Sequence, residues 1–140
     1  MSADPVRQAF ADALAFLLPV DCAGCGAADV ALCDACAAAL TPTRATRTVD
    51  GLVVGSGLVF EGVVARVIRS LKEEGRLSLA RPLAAALACA APVVDDADVV
   101  VIPTSRAAMR RRGYRVTELL ARRAGWRPLP LLRRVRTTDD

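Results

Sequence analysis

Four of the five cysteines stand in two close pairs, Cys22-Ala23-Gly24-Cys25 and Cys33-Asp34-Ala35-Cys36, separated by seven residues. Zinc takes four ligands at tetrahedral corners with Zn–S of about 2.3 Å, which places neighbouring sulfurs roughly 3.7 Å apart, the separation that a CxxC turn delivers. Gly24 and Gly26 let the backbone turn sharply, so that amide N–H groups point at the thiolates and offset their charge. Cys22, Cys25, Cys33 and Cys36 therefore predict a closed four-thiolate site with no open position for water, in which Zn2+ is structural rather than catalytic. A pair of disulfides, free thiols or an iron–sulfur cluster are the alternatives for the same spacing. Cys89 lies apart, among alanines in a helical pattern, and reads as an inert core thiol.

A second group of residues suits an anion. Val99, Val100, Val101 and Ile102 are four consecutive β-branched residues bounded by Asp98 and Pro103, the pattern of a buried strand in a parallel sheet. Thr104, Ser105 and Arg106 follow, and then Arg110, Arg111, Arg112, Gly113 and Tyr114. Ligands of open α/β sheets bind at the carboxyl ends of strands, so a loop with hydroxyls, arginines and a glycine is well placed there for phosphate. The planar guanidinium meets phosphate oxygens in pairs. Charge is distributed in the same sense. Residues 1–105 carry eight basic and twelve acidic side chains, a net of −4, whereas 106–136 carry eleven arginines against Glu118, a net of +10; Asp139 and Asp140 restore the total of +4. The leading reading of the basic stretch is an anionic partner, phosphate or nucleic acid, and the plainer one is a solvated helix face.

These groups need elements to position them. The 140 residues, 54% hydrophobic and 24% charged, exclude a disordered chain and suit one domain rather than two large ones. Because 27 residues are alanine and aromatics make up only 4%, the core is lean. Asp4 and Pro5 open an amphipathic helix over 5–18, with Val6, Phe10, Leu14 and Leu17 at helical spacing and Pro19 as its stop. The cysteine loop 22–36 and a short alanine-rich helix to Leu40 follow, and then 41–50 reads as a connector. That divides the chain into 1–45, an N-terminal helix with a metal module, and 46–140, the remainder. Leu52–Val54 and Leu58–Phe60 suggest a small hairpin around Gly55 and Gly57. From Gly62 a helix places Val63, Val64, Val67, Ile68 and Leu71 on one face and Arg66, Arg69 and Lys72 on the other, with Gly75 as its C-terminal stop. A helix from Pro82 to Ala90, the strand 99–102, a loop at Gly113, a helix over 115–124 and a run from Leu129 to Leu132 complete a strand–helix–strand pattern. The apolar stretch Ala13–Val20 is too short to span a bilayer and lacks a preceding cationic run, so neither membrane insertion nor a signal peptide is expected. Five cysteines without an export signal then imply a reducing, cytoplasmic setting.

In this order the features resemble the ComF (GntX-like) family, relatives of the type I phosphoribosyltransferases associated with bacterial DNA uptake. The resemblance runs through Leu17-Leu18-Pro19, the four-cysteine module with Cys25-Gly26, and Phe60-Glu61-Gly62 leading into Ile68-Arg69-Ser70-Leu71-Lys72. It continues through Leu79-Ala80-Arg81-Pro82-Leu83, Val101-Ile102-Pro103-Thr104-Ser105, and Arg111-Arg112-Gly113-Tyr114 ahead of Leu119-Leu120-Ala121. It implies an α/β fold in which the N-terminal helix and zinc module precede the first part of a phosphoribosyltransferase-like (Rossmann-like) parallel sheet.

The same resemblance implies that the loop after the 99–102 strand approaches pyrophosphate. Thr104, Ser105, Arg106, Arg112 and Gly113 are the candidates, and Arg106, Arg112 and Gly113 match the family's arginine-glycine loop. Lys72 matches a family lysine and is a candidate phosphate contact. Mg2+ would accompany phosphoribosyl pyrophosphate in a complete protein of this kind. Many members carry asparagine and glutamine where this chain has Arg115 and Val116. The family's acidic pair followed by a Thr/Ser-Gly turn, which wraps the ribose 5-phosphate, has no counterpart here. Val93-Val94-Asp95-Asp96 precedes the central strand and lacks the turn, and the sequence stops at Thr137-Thr138-Asp139-Asp140, in what resembles the loop ahead of the missing motif. The expectation is a chain truncated before that motif and inactive alone in phosphoribosyl transfer, binding a phosphoribosyl or nucleotide-type ligand. The rival expectation is a zinc-knuckle adaptor that holds single-stranded DNA or a partner of the DNA-uptake machinery without catalysis; with so few aromatics, its nucleic-acid contacts would be mostly electrostatic.

Overall fold

The computed structural model of the chain describes residues 20–91, 98–133 and 135. The helix expected over 5–18, the segment Val93-Val94-Asp95-Asp96 and the chain end at 136–140 lie outside the described residues. What is described is a mixed α/β structure in which five α-helices accompany a two-stranded antiparallel sheet. The helices are α1 (Asp34–Ala38), α2 (Gly62–Arg69), α3 (Ala80–Ala90), α4 (Arg106–Arg112) and α5 (Val116–Arg123), and the strands are β1 (Ala45–Val49) and β2 (Leu52–Ser56).

The hairpin is displaced from its expected place. β1 occupies the stretch that reads as a connector, and β2 pairs back onto it from Val49↔Leu52 to Ala45↔Ser56, while Leu58–Phe60 forms no strand. The cause is the dipeptide between the strands: Asp50 and Gly51 both have positive φ, 50° and 82°. That is the two-residue hairpin turn whose twist matches its flanking strands. Every residue of both strands is exposed, so no apolar alternation announces them.

The core gathers around α2. Val64, Val67 and Leu71 recur at helical spacing and are buried, Val67 and Leu71 completely. They meet Leu79, Ala80 and Leu83 from the start of α3, Val116 from α5, and Ala23 and Leu40 from the cysteine segment in one cluster. Packing therefore crosses the expected boundary near residue 45. α2 passes into a wider π-helical turn, Ser70–Glu74, which Gly75 ends in the left-handed region at φ 74°, as a stop glycine should. A 3-10 turn, Leu77–Leu79, leads into α3.

Two glycines dock β2 and the residues just after it onto α3. A Cβ at Gly55 would sit 2.2 Å from the Ala90 carbonyl oxygen, and one at Gly57 2.0 Å from that of Ala86. Ala86 and Ala90 are one helical turn apart, so the alternate residues Gly55 and Gly57 lie along a single ridge of α3, backbone against backbone. Only glycine permits that approach.

The expected buried parallel strand 99–102 is not what the described residues form. They contain one parallel bridge, Val100↔Leu129, with the Leu129 N–H donating to the Val99 carbonyl at 2.8 Å. Val100 and Ile102 are 38% and 74% exposed. A run of β-branched residues reports readiness to form a strand, but burial requires layers on both faces, and the described residues leave Val100 and Ile102 exposed while Val99 and Val101 are half-buried. The flanking helices fare better: α3 and α5 pack against each other and match the spans 82–90 and 115–124 to within two residues at each end.

Candidate functional site

The four paired cysteines converge. All four Sγ atoms lie within 4.8 Å of one another, and Cys22–Cys33 and Cys25–Cys33 are each separated by 3.7 Å. That is the edge of a tetrahedron around a metal with sulfur bonds of about 2.3 Å, and it is far beyond the roughly 2.05 Å of a disulfide. All five cysteines are free thiols in the structure. The group has the donor set, the number and the spacing to hold a metal ion such as zinc. Cys22 and Cys36 are buried, Cys33 is half-buried and Cys25 is exposed. Cys89 is half-buried on α3, apart from the group.

Backbone geometry explains the convergence. Gly26, at φ +79°, donates its N–H to the Cys22 carbonyl at 2.8 Å and closes the first turn. The N–H groups of Gly24 and Cys33 each point at Cys22 Sγ from 3.4 Å. Gly24 is needed for a further reason: a Cβ there would lie 2.5 Å from Cys36 Sγ and 2.9 Å from Val63 Cγ1. The second pair opens α1, which places Cys36 on its inner face.

The two buried thiols are shifted in opposite senses. The Cys33 N–H lowers Cys22 from the ordinary 9.0 to about 6, aided by the N–H groups of Cys25 and Gly24 and the Cys25 thiol, against the effect of burial. Burial, followed by the neighbouring sulfurs of Cys33, Cys22 and Cys25, pushes Cys36 up to about 12. A site that ionises one thiol and crowds another with sulfur gains from a cation that neutralises both.

The anion candidates are arranged differently from expectation. Residues 106–112, expected as a loop, form α4, because arginine, alanine and methionine favour helix. Ser105 caps it, with Oγ accepting from the Ala108 N–H at 3.1 Å, and Gly113 ends it at φ 77°. Ser105 and Gly113 thus stand about 12 Å apart along the helix axis, at 1.5 Å per residue. Thr104 and Arg112 are half-buried and Arg106 is exposed. Arg112 Nε is buried with no hydrogen-bond partner among the described residues. The Tyr114 hydroxyl donates to the Leu71 carbonyl, which sets the Gly113 turn beside the π-helical turn that carries the exposed Lys72. Arg115, at one of the two departures from the family pattern, pairs with Glu118 at 3.3 Å, and Arg122 joins it at 2.9 Å. Arg122 first, and then Arg115, hold the Glu118 carboxyl below its ordinary range.

Three other arginines have a placement that the sequence does not announce. Arg66 and Arg69 stand on the outward face of α2, and Arg76 follows Gly75; together they line a cleft of about 630 Å3 whose opposite wall is the Cys22–Gly26 turn. Their helical spacing is visible in the sequence, but the segment they face is more than forty residues away.

No protein-family model, curated protein or solved structure matches this chain. No helix among the described residues is long and apolar enough to cross a membrane.

Proposed function

We propose that the four cysteines form a structural zinc centre in a ComF-like, phosphoribosyltransferase-related protein that binds a phosphoribosyl or nucleotide-type ligand. The observation that carries the zinc assignment is the convergence of four Sγ atoms within 4.8 Å, two of them buried. Four thiolates close the tetrahedron, so the metal would have no position for a substrate and would serve folding. Support for the ligand reading is the parallel bridge Val100↔Leu129 flanking α4 and α5, together with Lys72 and Gly113 on adjoining turns. The adaptor reading draws on Arg106, Arg110, Arg111 and Arg123, which are exposed and have no carboxylate partner among the described residues.

Calorimetry with pyrophosphate and with phosphoribosyl pyrophosphate, at low and high salt, tests the ligand reading. Equal, weak binding that fades with salt and is further weakened by Arg112→Gln is the expected result, since the contact is Coulombic. Binding indifferent to Arg112→Gln, or none with either compound, contradicts it.

A further inference from the structure

The cleft beside the cysteine turn has charged side chains on its walls. Arg66 donates from Nε to the Gly24 carbonyl, and Arg76 from a terminal nitrogen to the Asp21 carbonyl, so both guanidinium groups are fixed by backbone on either side of Cys22. Arg76 also meets Glu74 Oε2 at 2.9 Å. Arg69 has no carboxylate partner among the described residues and lines the same cleft. Three arginines stand on the walls against one carboxylate, Glu74, with the sulfurs of Cys22 and Cys25 on the opposite wall.

Balancing the thiolates would account for such arginines, but their contacts point elsewhere. The N–H groups of Gly24 and Cys33 donate to Cys22 Sγ, and among the described residues no guanidinium donates to a sulfur. Arg66 and Arg76 are tied at one edge to carbonyls, which leaves other N–H donors on each fork, and Arg69 keeps its whole fork. Two donors already immobilised and one free to close is an arrangement that lowers the ordering cost of binding.

We propose that Arg66, Arg69 and Arg76 form an anion site for a phosphate monoester, with Arg69 closing on it. A monoester is nearly dianionic at pH 7, because its second pKa is about 6, and it offers three strong acceptor oxygens to the three guanidinium groups. Planar forks suit its oxygens in pairs. The volume lies within the range of small-ligand clefts. The ester is either a free small molecule or the terminal phosphate of a nucleic-acid strand. The site is distinct from the 104–113 segment and independent of the phosphoribosyltransferase reading.

The test uses the full, metal-loaded chain and its variants Arg69→Gln, Arg69→Lys and Arg47→Gln. Calorimetry with inorganic phosphate and AMP reads the free source; a short single strand with and without a 5′-phosphate reads the terminal one. Phosphate binding should weaken about tenfold or more in Arg69→Gln, the equivalent of one charge-assisted hydrogen bond. It should recover in part in Arg69→Lys and stay unchanged in Arg47→Gln, which alters an exposed arginine of β1 outside the cleft. Preference for the 5′-phosphorylated strand over the bare one assigns the terminal source, and equal binding of the two strands with retained AMP binding assigns the free one. Arg69 is exposed and makes no hydrogen bond among the described residues, so its loss should leave folding and metal content intact. Binding that survives Arg69→Gln, that weakens equally in Arg47→Gln, or that is lost only because Arg69→Gln strips the metal overturns the site, as does failure of the wild-type chain to bind phosphate or AMP at millimolar concentration.

Discussion

Around the cysteines, Ala23 and Leu40 are buried in the same cluster as Val64, Val67 and Leu71; around the run Val99–Ile102, Val100 and Ile102 are exposed. Both regions are rich in sequence signals. They differ in what completes them. The cysteine turns are closed by hydrogen bonds within 20–33 and by contacts to α2. A parallel strand needs neighbours on two edges and layers on two faces. Local chemistry therefore determines the first region, and long-range packing the second.

The sharpest way to break that contrast is a pair of truncations. Leu71→Ala removes a fully buried side chain from the centre of the core and should cost about 2–5 kcal/mol, whereas Ile102→Ala, at 74% exposure, should stay within about 0.5 kcal/mol. Denaturant unfolding of both variants checks this. Comparable losses would mean that the 99–102 run is buried in solution.

Next in size is Gly57→Ala. Its new methyl would meet the Ala86 carbonyl oxygen, and displacing backbone there should cost about 1–3 kcal/mol. Gly26→Ala faces open space, and its penalty comes from positive φ alone; it should cost about 1 kcal/mol. Thermal unfolding of the two variants separates packing from conformation.

The pH dependence of metal binding sharpens the account of the cysteine region. With its thiol depressed to about 6, Cys22 supplies a thiolate at pH 7, whereas Cys36, raised to about 12, must release a proton to solvent when the metal binds at any neutral pH. Zinc affinity should therefore rise with pH. Below about pH 6 Cys22 also holds a proton, so the slope of log affinity against pH steepens by one, about a further tenfold per pH unit. In the metal-free chain the sign is that of a depressed acid. The stability that Cys22 contributes is complete above its unfolded value of 9.0 and is lost as pH falls through about 6. Competition with a chelator between pH 5 and 8 reads the slope; a constant slope would place Cys22 among ordinary thiols.

The smallest effect concerns α4. Ser105→Ala removes the cap on the Ala108 N–H and should cost about 1 kcal/mol of local stability, seen as faster amide exchange over 106–112 with little change around the cysteines.

How much of this the sequence carried follows the same division. The CxxC spacing identified all four converging thiols, and periodicity placed α2, α3 and α5 together with the stop at Gly75. The hairpin was signalled too, by Asp50-Gly51, but the exposed pattern of Ala45–Val49 hides a strand from any reading that relies on apolar alternation. The helix at 106–112 was obscured because arginines after a strand suit a phosphate loop and a helix equally, and the cap at Ser105 and stop at Gly113 decide between them. Gly55 and Gly57 read as turn residues, although their requirement comes from α3, some thirty residues later. The arginine cleft could not be read, since it exists only once Asp21 and Gly24 are laid against Arg76 and Arg66.

Zinc content measured on the purified chain, by elemental analysis against protein concentration, tests the central claim most directly. The account predicts one zinc per chain, lost in a Cys22→Ser, Cys36→Ser variant, with residues 20–40 becoming susceptible to proteolysis once the metal is chelated. Zinc absent from the wild-type protein, or retained undiminished in the double variant, would contradict it.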